Sequence, residues 1–181
     1  MTKLDDRLAH EIHFRKSRPA DLVELHRLNV ELQRFERRLR PSRRPARSLP
    51  RSYIADLLRR QRQKSASVWV AVAEDTIVGF VAFALRLDPL ESSPPGVKLT
   101  DLVVTASWRR RGLGTSLIKV AEKFARTRRA RRLTITTLVN NRPARRMYRA
   151  LGFKQVYVTF ERPLALRPTA QITKRKSTAL R

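Results

Sequence analysis

"KLTDLVVTASWRRRGLGTSL", residues 98–117, decides how this chain is read. An apolar run leads through a short polar segment into three arginines and two glycines one residue apart, and a helix-like stretch follows directly. A strand that turns through glycines into a helix presents unpaired backbone N–H groups at the positive end of the helix dipole, and that combination binds phosphate. Gly112 and Gly114 let the main chain approach an anion closely and supply the dihedrals of a nest. Thr115 and Ser116 add hydroxyl donors, and Arg109, Arg110 and Arg111 place charge around the same point. The stretch has neither the Gly-Lys-Ser/Thr ending of a Walker loop nor the third glycine of a dinucleotide fingerprint. The expected anion is therefore a diphosphate held in some other way.

Reading outward, the hydrophobic period alternates between that of strands and that of helices. "EIHFRKS" (11–17) starts as a half-buried strand, and Leu22, Leu25, Leu28, Val30 and Leu32 then give a helix from about residue 19 to the mid-thirties. "RPSRRPARSLPRS" (40–52) is a cationic loop broken by prolines, and "YIADLLRRQRQ" (53–63) is a short helix. Two apolar runs around Glu74, Asp75 and Thr76 read as a hairpin with those three as its turn. "ESSPPGVK" interrupts the chain before a strand over 98–105. An amphipathic helix runs from Gly112 to about Arg129, with Leu113, Leu117, Val120, Ala121 and Phe124 on its apolar side. A strand over 131–139, a short helix stopped by Gly152 and a closing strand "FKQVYVTFERPL" (153–164) complete the order β, α, α, β, β, β, α, β, α, β.

Composition limits what such a chain does. Its 181 residues suit one domain with a real core. No window approaches eighteen uninterrupted apolar residues and the N-terminus lacks an apolar leader core, so neither membrane spanning nor secretion is expected and a cytoplasmic location is the default. The absence of cysteine removes disulfides, thiolate metal sites and a cysteine nucleophile. His10 and His13 stand three apart without the His-Glu-x-x-His spacing, so no metal is expected. The 41 basic and 15 acidic residues give a net charge of +26, which attracts polyanions and is equally the mark of an arginine-rich solvated surface.

Two patterns carry a resemblance. Arg109-Arg110-Arg111-Gly112-Leu113-Gly114 fits an Arg/Gln-x-x-Gly-x-Gly/Ala loop, and Asn141, Ala144, Tyr148, Gly152 and Phe153 fit Asn-x-x-Ala-x-x-x-Tyr-x-x-x-Gly-Phe one helix and one strand later. In this the chain resembles the GNAT superfamily of acyl-CoA-dependent N-acyltransferases over about residues 11–163. The resemblance implies an α/β (α+β) GNAT fold, a mixed central sheet of six to seven strands flanked by about four helices. Residues 1–10 are then an N-terminal extension, and 164–181 a basic tail expected to be flexible. "KLTDLVV" looks closest to relatives that read Glu-Asp-Leu-x-Val, a form common among diamine acetyltransferases. Thr100 stands where those relatives place Glu.

By the same resemblance, acetyl-CoA is the cosubstrate and the amides of the glycine loop take its diphosphate. The backbone of Leu102, Val103 and Val104 receives the pantetheine arm and polarises the thioester carbonyl. Asn141 bonds the CoA arm or merely caps its helix. Tyr148 supplies the proton or strong hydrogen bond for the departing thiolate, and Asp101 orients or deprotonates the amine or else serves strand pairing. The acceptor stays open among a protein N-terminus, a lysine and a small-molecule amine, and the cationic loop over 40–51 is expected to repel free polyamines. Family relatives often dimerise, so a homodimer is also open. The competing reading is a GNAT-fold protein that docks on nucleic acid or the ribosome through its arginines and basic tail, although Trp69 and Trp108 form no RNA-reading pattern.

Overall fold

A computed structural model describes residues 12–43, 45, 52–86 and 95–162. Strand β1 (Ile12–Lys16) enters a 3-10 turn (Pro19–Asp21), which continues into helix α1 (Leu22–Leu39). Asp21 fixes this corner: its carboxylate accepts two bonds from the Arg15 guanidinium, at 2.7 and 2.9 Å, and one from the Arg18 amide. Helix α2 (Ser52–Arg62) precedes the hairpin β2 (Ser67–Ala73) and β3 (Thr76–Arg86). Glu74 and Asp75 both lie at positive φ, the turn geometry whose twist matches that of paired strands. Thr76, read as a turn residue, already pairs with Ala73 as the first residue of β3.

Strand β4 (Gly96–Val104), helix α3 (Leu113–Thr127), strand β5 (Leu133–Ile135) and helix α4 (Arg142–Ala150) follow. The sheet order is β1-β2-β3-β4-β5, antiparallel except for the parallel β4–β5 pair. On one face, α1 and α2 cover Val68, Val70, Phe80 and Val103 with Leu25, Leu28, Ile54 and Leu57. On the other, α3 packs Leu113, Leu117, Ile118 and Ala121 against Val81, Phe83, Val97 and Leu99, and Phe124 meets the Phe83 ring at 5.0 Å. Met147 and Tyr148 of α4 and the capping Leu151 join this second layer.

The expected mixed α/β sheet is present, and among the described residues it has five strands rather than six or seven, with four α-helices. One expected strand accounts for the lower count, and another is shorter than expected. The one read over 131–139 shrinks to Leu133–Ile135, because β4 and β5 pair only from Val97↔Leu133 to Leu99↔Ile135 and then separate. The closing strand read over 153–164 does not form across the described residues 153–162. Its sequence alternates as a strand should, but alternation without a ladder partner gives no strand. Phe153 stays against the core while Val156, Val158 and Phe160 remain 74%, 61% and 92% exposed. An Arg40–Glu161 ion pair brings this segment back to the end of α1.

The N-terminal extension, most of the proline-rich loop, the "ESSPPGVK" break except its last residues, and the basic tail lie outside the described residues. Among those described, no helix is long and apolar enough to cross a membrane.

Candidate functional site

The separation of β4 from β5 creates the site. β4 pairs with β3 along its whole length but with β5 only over 97–99, so among the described residues its outer edge is open from Thr100 to Val104. Ala82 pairs with Asp101 and Phe83 with Leu99, which leaves Thr100 as an extra residue, a β-bulge. Side chains then alternate. Asp101 and Val103 are buried, with Val103 packing in the α1/α2 layer, while Leu102 and Val104 are half-buried and pack with the α3 layer. Both neighbouring layers are thereby filled by side chains, and the backbone edge is left open among the described residues.

The same strand runs into the glycine loop. Arg110 has φ +64° and Gly112 φ +83°, two left-handed residues two apart that curl the chain into a concavity. At Arg110 this conformation costs roughly 1 kcal/mol, which the surrounding packing sustains. α3 starts at Leu113 with Ser116 donating to the Gly112 carbonyl at 3.1 Å. The amides of Leu113, Gly114 and Thr115 have no partner among the described residues, as the first turn of a helix requires. Leu113 itself is core, so it offers a ligand only its amide. Gly114 is needed for space: a Cβ there would stand 3.2 Å from the Met147 sulfur of α4.

The three arginines have separate surroundings. Arg109 donates through Nε to the Val104 carbonyl at 2.9 Å and through Nη2 to Glu31 at 2.7 Å. Its charge is committed to the protein. Arg111 lies 5.1 Å over the Trp108 ring, and Arg110 is exposed.

On α4, Asn141 caps the helix, its Oδ1 accepting from the Ala144 amide at 3.3 Å. Tyr148 stands one turn beyond Ala144 and tilts against Phe153 at 5.8 Å. Burial, and then the Glu36 carboxylate, push its phenol up to about 12. Asp101 receives the Tyr53 hydroxyl on both carboxylate oxygens at 2.9 Å. Burial raises its pKa above the usual carboxylate range, against hydrogen bonds from Tyr53 and Thr100. Burial likewise raises Glu36; the Arg43 guanidinium, 2.9 Å away, opposes this, and the charge of Asp101 adds to it. Glu36, Tyr53, Asp101 and Tyr148 thus share one electrostatic neighbourhood at the open end of β4.

Sequence reading named Asp101 and Tyr148 but not Glu31, Glu36, Tyr53 or Gly79. Glu36 had a signal: the core-facing stripe Leu25, Leu28, Asn29 and Leu32 of α1 is continued at helical spacing by a carboxylate. Tyr53 and Glu31 had none, since both act through contacts to residues far away in the chain. Among the described residues no group of three or more His, Cys, Asp or Glu side chains converges to hold a metal.

Residues 29–153 match the model of the acetyltransferase (GNAT) family. This chain is a GNAT-family member. The match includes the open edge of β4, the glycine loop and the Asn141–Phe153 pattern on which the resemblance rested. The aminoglycoside N(6')-acetyltransferase type 1 of Klebsiella aerogenes is 32% identical over 117 residues, covering 62% of this chain and 77% of that protein. N-acetyltransferase family 8 member 7 of Mus musculus is 29% identical over 59% of this chain, which spans about half of that protein's length, 47%. An N-alpha-acetyltransferase of Sulfurisphaera tokodaii is 28% identical over 54% of this chain and 62% of its own. A Bacillus halodurans protein superposes with a TM-score of 0.75 at 21% identity, covering 84% of this chain and 99% of its own. AAC(6')-Iy in complex with a CoA-S-monomethyl-acetylneamine bisubstrate analogue superposes at 0.66 and 22% identity, over 85% and 99%. At these identities the two structures share the GNAT fold with the present member.

Proposed function

We propose that the chain is an acetyl-CoA-dependent N-acetyltransferase acting on the primary amine of a cationic acceptor. One observation carries this reading. The open edge of β4 runs directly into a cradle of amides without partners among the described residues, and Asp101 of that strand and the Tyr148 phenol of α4 both lie in the field of Glu36.

The residues fit the cosubstrate. Leu113, Gly114 and Thr115 would bond the diphosphate of CoA, with Arg110 and Arg111 adding field, and Arg109 contributing by fixing the loop. Bound there, acetyl-CoA supplies an activated thioester. The open backbone of Leu102–Val104 would hold the arm and offer an amide, fixed in advance, to the developing oxyanion. An alkylamine of pKa about 10.4 is neutral in only about one molecule in 2,500 at pH 7, which costs roughly 4.6 kcal/mol. Asp101, with its raised pKa, would take that proton. Tyr148 stays protonated throughout the neutral range. Full transfer from a phenol near 12 to a thiolate of ordinary pKa near 8.5 is uphill by about 5 kcal/mol, so Tyr148 acts by donating a strong hydrogen bond.

Acetyl-CoA at a hundred times its Kd should stabilise the fold by about 2.7 kcal/mol, a rise in melting temperature of roughly 5–10 °C. Tyr148→Phe should keep that rise while kcat falls about 10²-fold. Unchanged kcat would remove Tyr148 from the mechanism, and no thermal shift would remove the cosubstrate.

The acceptor class follows from Glu36. Glu36 and Asp101 lie in one electrostatic field, and this, with the relatives named as aminoglycoside N(6')-acetyltransferases, supports an amine that carries further positive charge, against the repulsion of free polyamines expected from the loop over 40–51. Arg43 now occupies Glu36 as an internal cation. Arg43→Ala should therefore lower KM for 1,4-diaminobutane by about fivefold, the scale of one partly exposed ion pair, and leave KM for butylamine unchanged. Equal effects on both amines would refute selection by Glu36.

A further inference from the structure

Glu31 on α1 makes the contacts that set the glycine loop. Its Oε1 accepts from the Ala106 amide at 2.9 Å and from Arg109 Nη2 at 2.7 Å, and its Oε2 accepts from the Thr105 hydroxyl at 3.0 Å. Arg109 passes the connection on: its Nε donates to the Val104 carbonyl at 2.9 Å, and its guanidinium lies 5.6 Å over the ring of Phe35, one turn further along α1. Among the described residues, no other element sends a side chain to hydrogen-bond residues 104–109. β3 holds the backbone of Val104 and Thr105, through the Gly79 pairing and the Val78 carbonyl, and α1 adds the side-chain contacts that tie the first residues of the loop to it. That helix carries Glu36 one residue after Phe35.

We infer that Glu31 is a positioning residue that couples the cofactor loop to the acceptor helix, through the Glu31–Arg109–Val104 chain of contacts. The inference rests on the reading that residues 109–115 receive the CoA diphosphate. Occupancy of the loop removes freedom from residues 104–112, and the three bonds to Glu31 hand that restriction to the C-terminal half of α1. Coupling is reciprocal, so an acceptor that orders α1 favours the loop geometry that binds CoA. Arg109 is the necessary second member, because its planar guanidinium bonds Glu31 and Val104 from different nitrogens at once, which a lysine ammonium on the same stem does not reproduce.

CoA affinity alone does not test this, because removing Glu31 both loosens the loop and frees Arg109 to turn toward phosphate. Amide hydrogen exchange of the full chain with and without CoA does. In the wild type, CoA should slow exchange over 109–117 and also over 31–39, the latter by about fivefold or more, the lower end of ordinary coupling strengths. In Glu31→Ala and in Arg109→Lys, the loop should still slow while 31–39 exchanges as in the free protein, and Glu31→Gln, which keeps an acceptor in place, should give an intermediate result. Protection of α1 that survives both Glu31→Ala and Arg109→Lys overturns the coupling, as does a wild type in which CoA slows the loop alone. A wild type in which CoA slows no amide of 109–117 overturns the reading of the loop as the cofactor's seat, and the coupling with it.

Discussion

Asp101→Asn should lower turnover with every amine acceptor by 10²- to 10⁴-fold, the range for removing a general base, while CoA binding is retained and the melting temperature at pH 7 holds or rises. The two halves of this result have one cause. Burial raises the Asp101 pKa above its ordinary value near 3.9, so the folded chain binds this proton more tightly than the unfolded chain does. Stability from this group is complete below the unfolded-state pKa and is lost as pH rises through the folded-state one, so at neutral pH the ionised carboxylate works against the fold. Asparagine removes that charge and still accepts from Tyr53. The same shift displaces the acid limb of kcat/KM above the usual carboxylate range in the wild type, and because Glu36 lies in the same field that limb belongs to the pair. A pH–rate profile beside a melting curve decides the matter. Turnover preserved together with a lowered melting temperature would make Asp101 a strand-pairing residue only.

Gly79→Ala should be the most damaging single methyl added to the sheet. A Cβ at Gly79 would sit 2.7 Å from the Val103 carbonyl oxygen, 3.3 Å from a Leu117 methyl and 3.5 Å from the Val104 Cα. No side-chain rotation relieves a clash with backbone, so β4 has to move away from β3 at the residues whose outer edge is open among the described residues. Overpacking of this kind costs about 1–3 kcal/mol, or roughly 3–10 °C in melting temperature for a domain of this size. CoA affinity should fall with it. Gly96→Ala is the control at the far end of β4, where the nearest atom to an added Cβ is 3.4 Å away and ordinary packing accommodates it. Equal losses for the two variants would show that the close approach at Gly79 has no special bearing on the site.

Local chemistry made much of this legible. Positive φ at Glu74, Asp75 and Gly112, the apolar stripe of α3 and the helix cap at Asn141 are properties of neighbouring residues, and periodicity and turn preferences report them. The length of β5 and the fate of 153–162 depend instead on whether another strand is present to receive them. Alternating Val156, Val158 and Phe160 carry the pattern of a strand without the ladder. Arg109 shows the same limit at one residue: its place in the motif suggested an anion, and its guanidinium is held by a glutamate 78 positions earlier. Gly79 drew no notice because its reason is the carbonyl of Val103 on the next strand.

The bare row of Val156, Val158 and Phe160 also bears on how the protein behaves in a tube. These side chains lie on one exposed segment that keeps a strand's alternating pattern, and such a row is a site for sticking to a neighbouring molecule. At low ionic strength the net charge of +26 keeps molecules apart. At 0.1 M salt that repulsion reaches only about 10 Å, so added salt should promote self-association in the purified protein rather than suppress it.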